Sequence, residues 1–501
     1  MNKKLLTFIL PVLLAVLTLY FSHSLRRIGI DHIPQLGIRD EIDYVWQAMS
    51  IRQTGLPVAW SDLGSYYNST GTFDRLGSNG FGIKDKDGNT VDLSNFRQQQ
   101  FPLFTVQEGD YGEGKRQVLL VEPYFDHPPL GGMIYSLGVP SSAKTFFDIS
   151  PLHVRRVSLY LGLVTGALIF ILGSVLTKNL WVGLISLILY STVPTYVLGS
   201  RFGLLENVMA PIALLHILFL TLSKNMLKTN KKRSLQLLTL SGVTGAMAFL
   251  SKEPGLGFAL GSLLLLHLWK YPKKWIIYYL GALAIPILLY VSWGLFISAD
   301  VFLRVLLYST SRVFYGSLNF LAMIPSLRFE GFPIDGWWAW GFIVSLIVYF
   351  QKKDNYLVIF IPAFFYLCAI LLLGSLNFAW YYLPFIPLMA IVSGIALWKL
   401  FTDPDWPLLI SFFLLPLSSS FYWGYLAPHA PAQITSYRIL FLVYFGLSFF
   451  KMYEKRFPQR DLIWKVTCII FFVVIIYWNR ESIHYIITNW GKLLLPPLPR
   501  I

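Results

Sequence analysis

The chain has 501 residues, of which 55% are hydrophobic, 17% aromatic and 13% charged, with a formal net charge of +15. A soluble domain carries about 25% charged residues, so the composition excludes a water-solvated globule and points to a chain solvated mostly by lipid. The positive charges gather between apolar runs, which argues for membrane topology and against nucleic-acid binding. The two cysteines, Cys368 and Cys468, lie inside such runs and supply neither a disulfide framework nor a Cys-based metal site.

In chain order, Lys3 and Lys4 precede an apolar run from Leu5 to Phe21 that reads as an uncleaved first helix, because no small-x-small cleavage site follows it. Further apolar runs cover 156–176, 180–198, 205–222, 236–251, 254–269, 275–297, 337–350, 355–374, 380–398, 407–423, 437–450 and 463–478. Each is near the length that crosses about 30 Å of hydrocarbon. The expected fold class is an all-α polytopic membrane protein of about 13 transmembrane helices. A small β-containing insertion is expected in the first extracytoplasmic loop.

Placing Lys3 and Lys4 in the cytoplasm puts the strongly basic short loops on the same side. These are Lys178; Lys224 to Arg233; Lys270, Lys273 and Lys274; Lys352 and Lys353; Lys399; and Lys451 to Arg460. That is the distribution the positive-inside rule demands. The expected organisation is therefore a first helix at 1–22, an outer loop at 23–155 and transmembrane helices two to seven at 156–297. A second outer segment at 298–336, helices eight to thirteen at 337–478 and an outer tail at 479–501 complete it.

Within the first outer loop, Ile38, Ile42, Val45 and Met49 recur at helical spacing and predict an amphipathic helix over 37–55, ended by Gly55-Leu56-Pro57. Asp40, Tyr44 and Gln47 follow one another up a different face. Between 60 and 121 the composition turns to Gly, Asn, Asp, Ser and Gln. Asp85-Lys86-Asp87-Gly88-Asn89 signals a hairpin turn and Gln117 to Val121 a strand. The shorter outer segments use arginine rather than lysine (Arg201, Arg304, Arg312, Arg328, Arg438), and the planar guanidinium suits bidentate binding of phosphate oxygens.

Phosphate-loop, zinc-protease and Cys/His zinc signatures are absent, and Gly257 and Gly261 inside an apolar run predict close helix packing rather than a dinucleotide site. Ionisable groups instead collect at the outer membrane surface. They are Arg39-Asp40-Glu41, Asp126-His127-Pro128-Pro129-Leu130, Arg201 to Asn207 with Glu206, Ser251-Lys252-Glu253-Pro254-Gly255, and the Tyr381 to Pro387 segment. Charge near membrane depth is costly, so such a gathering predicts function.

Asp40-Glu41 after the first span and His-Pro-Pro-Leu closing a long outer loop resemble the GT-C glycosyltransferases. The family-39 type, protein O-mannosyltransferases and lipid A aminoarabinose transferases, is the nearest in pattern. Ser251 to Leu256 is similar to that family's Thr-Lys-Gly-Pro segment, and Tyr382-Leu-Pro-x-x-Pro387 to its Tyr-Leu-Pro-x-x-Pro. The resemblance spans roughly residues 5 to 400. Three departures stand out: a long interval between Asp40 and His127, Glu253 in place of the Gly after Lys, and Trp380 where an Arg often precedes the Tyr.

The resemblance implies a sugar donor on a polyprenyl phosphate and a lipid, glycan or protein acceptor, joined on the extracytoplasmic face of the cell membrane with inversion. Asp40 would be the general base and Glu41 its partner. His127, Arg201, Glu206, Lys252, Arg304 and Tyr382 would bind donor phosphate or sugar. No tightly bound cofactor is expected; a divalent cation, if used, would sit on Asp40 and Glu41. The alternatives are a polytopic transporter or lipid flippase, or a cell-envelope polymerase or ligase of another membrane family with its main site at 298–336. Against a transporter stand the lack of an internal repeat and the near absence of charge inside the spans.

Overall fold

The computed structural model describes residues 3–32, 39–61, 100–101, 116–117, 120–121, 123–143, 149–310, 336–350, 356–372, 379–429 and 434–489. The Asp85–Asn89 turn, most of the 60–121 insertion, Arg312 and Arg328 lie outside them.

The described residues fold almost entirely into helices: α1 (Lys3–Arg27), α2 (Arg39–Thr54), α3 (Leu130–Tyr135), α4 (Pro151–Thr177), α5 (Leu180–Thr192), α6 (Pro194–Gly199), α7 (Leu205–Met226) and α8 (Lys231–Ser251) come first. They are followed by α9 (Leu256–Leu268), α10 (Lys273–Thr310), α11 (Gly336–Phe350), α12 (Leu357–Leu372) and α13 (Phe385–Thr402). The last three are α14 (Trp406–His429), α15 (Ile434–Tyr453) and α16 (Arg460–Thr488). Two turns of α14 widen to π-helix, at Phe413–Leu417 and Tyr422–Leu426. In the first outer loop the described strands are two residues each: β1 (Ala59–Trp60) pairs antiparallel with β4 (Leu120–Val121), and β2 (Gln100–Phe101) with β3 (Arg116–Gln117).

Among the described residues nine helices are long and apolar enough to cross a membrane, and α5, α9 (with Glu253–Gly255 before it), α11 and α12 are shorter apolar helices. This is a multi-pass membrane protein. Helices α7 and α13 lie inside the bundle, whereas α10, α15 and α16 turn most of their apolar surface outward.

Close packing of the bundle relies on missing side chains at a few points. A Cβ on Gly257 would come within 2.6 Å of the Tyr366 backbone and one on Gly261 within 2.6 Å of the Pro362 backbone, so α9 and α12 touch main chain to main chain. The Phe258 ring stacks on Tyr366 at 4.6 Å in the same seam. Buried His216 ties three helices together, its Nδ1 meeting the Ser241 carbonyl and its Nε2 the Ser262 hydroxyl, both at 2.7 Å.

Three boundaries and the surroundings of one helix differ from the sequence reading, each for a visible reason. Helix α1 continues past residue 22 to Arg27 because the buried Arg26 guanidinium is satisfied by the Ser22 and Ser200 hydroxyls and the Tyr190 carbonyl. Helix α10 runs past residue 297 with a break at Ser298 (φ −160°, ψ 96°); its continuation seats Phe302 against Phe125 and Tyr290. Helix α16 extends to Thr488, beyond the expected end at 478, because Asn479 accepts a hydrogen bond from Ser420 of α14 at 2.6 Å. Helix α2 is not a surface amphipath: Glu41 and every residue from Asp43 to Ser50 are buried, since the 123–143 segment and α4 pack over the side expected to face water.

Candidate active site

Asp40 and Glu41 occupy the first turn of α2, where the unpaired N–H groups of a helix start favour negative charge. One residue apart on a helix, they point in different directions and have different fates. The Arg155 guanidinium of α4 grips Glu41 in a bidentate pair, Nε to Oε1 at 2.7 Å and Nη2 to Oε2 at 2.8 Å, with both side chains fully buried. The Gly203 N–H adds a bond to Oε1 at 2.8 Å, and a Cβ on Gly203 would come within 2.4 Å of Val154 and 3.1 Å of that oxygen. Glu41 therefore clamps α2 to α4 and to the turn before α7.

Asp40 is half-buried and has no hydrogen-bond partner among the described residues. Its charge is close enough to act on Tyr44 and Lys252. Burial, with Asp40 and Glu206 nearby, pushes the Tyr44 phenol well above its ordinary range, so Tyr44 stays protonated.

Lys252 closes α8 in extended conformation (φ −164°, ψ 141°), which brings its side chain back into the protein. Its Nζ donates to Glu206 Oε1 at 2.6 Å and lies 4.5 Å above the Tyr381 ring, and both charged groups are buried. Burial alone would pull the pKa of this ammonium down. Glu206, Tyr381 and Asp40 outweigh that and hold Lys252 above its ordinary range. Glu206 Oε2 has no partner among the described residues.

The next residue, Glu253, meets His127 Nδ1 at 3.2 and 3.1 Å from its two oxygens. His127 sits between the Tyr44 and Tyr124 rings, at 6.3 and 6.4 Å between centroids. The loop carrying it is anchored on three sides: Tyr124 N–H donates to the Pro57 carbonyl, Ser61 donates to Asp126 at 2.6 Å, and Phe125 packs on Trp293. After Pro128-Pro129, α3 begins with Gly131 and Gly132. A Cβ on these would strike Leu205 of α7 and Gln47 of α2, so the glycines let α3 wedge between those helices.

The structure thus joins Asp40, His127, Glu206 and Lys252 of the expected site, together with Tyr44, Glu253 and Tyr381. Arg201 lies apart, beside Arg155 and Arg26. It donates to the Arg26 and Ile28 carbonyls, while Nε and Nη2 have no partner among the described residues. Burial, with Arg155 and Arg26 close by, pulls its pKa down, so an anion brought there would gain from it. Arg304 bonds to Asp300 one turn away at 2.7 Å, on the part-exposed side of α10. Tyr382 faces Trp338 and Phe385 instead, its hydroxyl without a partner among the described residues; the ring under Lys252 belongs to Tyr381.

For a divalent cation, Asp40 and Glu41 do not form a two-carboxylate pair in this arrangement, because Arg155 and Gly203 occupy Glu41. Nor do three His, Cys, Asp or Glu side chains gather elsewhere among the described residues. Arg155 and Arg26 were missed by sequence reasoning; each is the first of two adjacent arginines (Arg155-Arg156, Arg26-Arg27) at the edge of an apolar run, a signal easily taken for a topology marker.

Comparison with known proteins bears on the fold. The dolichyl-phosphate-mannose-protein mannosyltransferase family matches residues 110–308, less than half of the chain. Among solved structures, ArnT from Cupriavidus metallidurans in the apo state superposes with a TM-score of 0.53 at 14% identity, covering 94% of this chain and 76% of that one. The same enzyme bound to undecaprenyl phosphate gives 0.51 at 14% identity, covering 94% and 77%. This chain has the GT-C fold. The Archaeoglobus fulgidus oligosaccharyltransferase in the apo form is also similar, with a TM-score of 0.45 at 13% identity over 91% of this chain and 56% of that one. Comparison with curated protein sequences gives no match. Of the site residues, His127, Glu206, Lys252 and Glu253 lie within the segment that the mannosyltransferase family matches, and those of α2 and the Tyr381 turn lie outside it.

Proposed function

We propose that the protein is a membrane glycosyltransferase moving a sugar from a polyprenyl phosphate to a hydroxyl of a lipid, glycan or protein acceptor on the extracytoplasmic face. The observation that carries this reading is the contrast in carboxylates. Glu41 and Glu206 are each held by a cation and Glu253 is bonded to the His127 ring, whereas Asp40 stands beside them with no partner among the described residues. A general base needs a free carboxylate within reach of a proton it can take.

In this mechanism Asp40 removes the acceptor hydroxyl's proton as the oxygen attacks the anomeric carbon. The bond to the phosphate oxygen breaks on the opposite side, the configuration inverts, and polyprenyl phosphate leaves with its negative charge. Base catalysis of this kind is worth about 10²–10⁴-fold. Lys252 and His127 meet the charge that develops on the leaving group, and fixed cations in a water-poor site act strongly there. The Glu206–Lys252 pair keeps the ammonium charged and in place before substrate arrives. The cytoplasmic N-terminus inferred from the basic loops puts this surface outside the cell.

The test is a turnover assay of the purified, detergent-solubilised protein with a panel of polyprenyl-phosphate sugars and a membrane extract as acceptor source. Release of polyprenyl phosphate by the wild type and not by Asp40→Asn supports the reading. Turnover undiminished in Asp40→Asn contradicts the assignment of base, and no turnover of any donor contradicts the transferase reading.

A further inference from the structure

His127 and Glu253 come from segments 126 residues apart, yet the carboxylate sits squarely on one ring nitrogen, with both oxygens within 3.2 Å of Nδ1. A carboxylate there has a definite chemical consequence. It can only accept, so Nδ1 must carry the proton, and a neutral imidazole is confined to the tautomer whose Nε2 is bare. Protonated, the ring donates from both nitrogens. In either state Nε2 is the ring's remaining polar atom, and it has no partner among the described residues, while the side chain keeps 16% of its surface open. The Tyr44 and Tyr124 rings flank the imidazole and resist its rotation.

Other charges around the pair do not replace this contact. Lys252 is taken by Glu206 and Asp126 by Ser61, and Asp40 acts on Tyr44. Glu253 also occupies a position where the resembling family's motif carries glycine, which has no side chain to offer such a contact.

We propose that Glu253 is a positioning residue: it fixes the orientation and protonation of His127 so that Nε2 is presented to a phosphate oxygen of the lipid-linked donor. The inference rests on the glycosyl-transfer reading for its substrate, but the pair itself is tested without it.

The first arm reads the pair directly. Nitrogen-15 histidine NMR of the full-length protein in detergent, with the His127 signal assigned by its loss in His127→Asn, is expected to show a protonated Nδ1. That signature should disappear in Glu253→Ala and in Glu253→Met, a variant of similar size that keeps the packing if the alanine variant fails to fold. A bare Nδ1 in the wild type, or a signal unchanged in both variants, overturns the proposal.

The second arm is a double-mutant cycle on polyprenyl phosphate release. Glu253→Met is expected to reduce kcat/KM by between about 2-fold and 100-fold, the range for residues in direct contact, and to cost nothing further once His127 is alanine. Glu253→Gln, which keeps an acceptor, should recover part of the loss. Equal losses with and without His127 overturn the proposal. If the wild type releases no polyprenyl phosphate, the glycosyl-transfer reading fails and the NMR arm alone judges the pair.

Discussion

Helices α7 and α15 are nearly the same length, 22 and 20 residues, and both are apolar enough to span a membrane, yet they live in different solvents. Of the most apolar stretch of α7, 83% is buried in protein, against 11% for α15. Helix α7 carries Glu206, Asn207, His216, Thr221 and Ser223, all buried. Helix α15 shows Ile439, Leu442 and Phe449 to its surroundings. Hydropathy does not separate them; the more polar-laden α7 contains the more apolar stretch. What separates them is company. A charged or polar group is tolerated at membrane depth only when neighbouring helices supply its partners, so the chemistry collects where helices surround one another and the periphery is left to face lipid.

Interior charge pairs should give the largest stability effects. Glu41→Gln keeps the shape of the side chain but leaves Arg155 buried and unmatched, and is expected to cost about 3–5 kcal/mol. Thermal unfolding in detergent measures it, and a loss below about 1 kcal/mol would mean that the clamp is ornamental. Lys252→Met should cost a similar amount by stranding Glu206. The double change to Met at 206 and 252 should recover most of the stability, because an apolar pair of similar volume replaces a buried ion pair at little cost. Activity should not return with it, which distinguishes the pair's catalytic role from its structural one.

A smaller effect is expected where the interior contact is neutral. His216→Ala removes two hydrogen bonds that join α7 to α8 and α9 and should destabilise by about 1–3 kcal/mol. At the periphery, Leu442→Ala on α15 should stay within about 0.5 kcal/mol of wild type, the usual range for a surface change. A peripheral loss as large as the His216 one would erase the distinction between the two groups of helices.

Much of this architecture was legible beforehand, because a span announces itself through a long apolar run. Close packing at Gly257 and Gly261 could be read from the glycines, though not that α12 is the partner, and the break at Ser298 falls where the sixth later run ends. The gathering of Asp40, His127, Glu206 and Lys252 was visible as five ionisable clusters at one membrane level. What stayed hidden were partners distant in sequence. Nothing local to Glu41 says that Arg155, 114 residues on, will consume it, or that Glu253 will settle on His127. The choice between Tyr381 and Tyr382 was equally hidden, since the short helical turn at Ala379–Tyr382 decides which ring lies under Lys252. Periodicity marked Val45 and Met49 of α2 as buried, as they are, but it carries no record of what covers the polar face.

The central claim is that two adjacent carboxylates have divided their work, Asp40 for chemistry and Glu41 for structure. The measurement that tests it most directly compares Asp40→Asn with wild type for release of polyprenyl phosphate, alongside thermal unfolding of the same samples. The account predicts a fall of about 10²–10⁴-fold in turnover with an unchanged unfolding temperature. Full turnover in Asp40→Asn, or a loss of activity that merely follows a loss of fold, would contradict it.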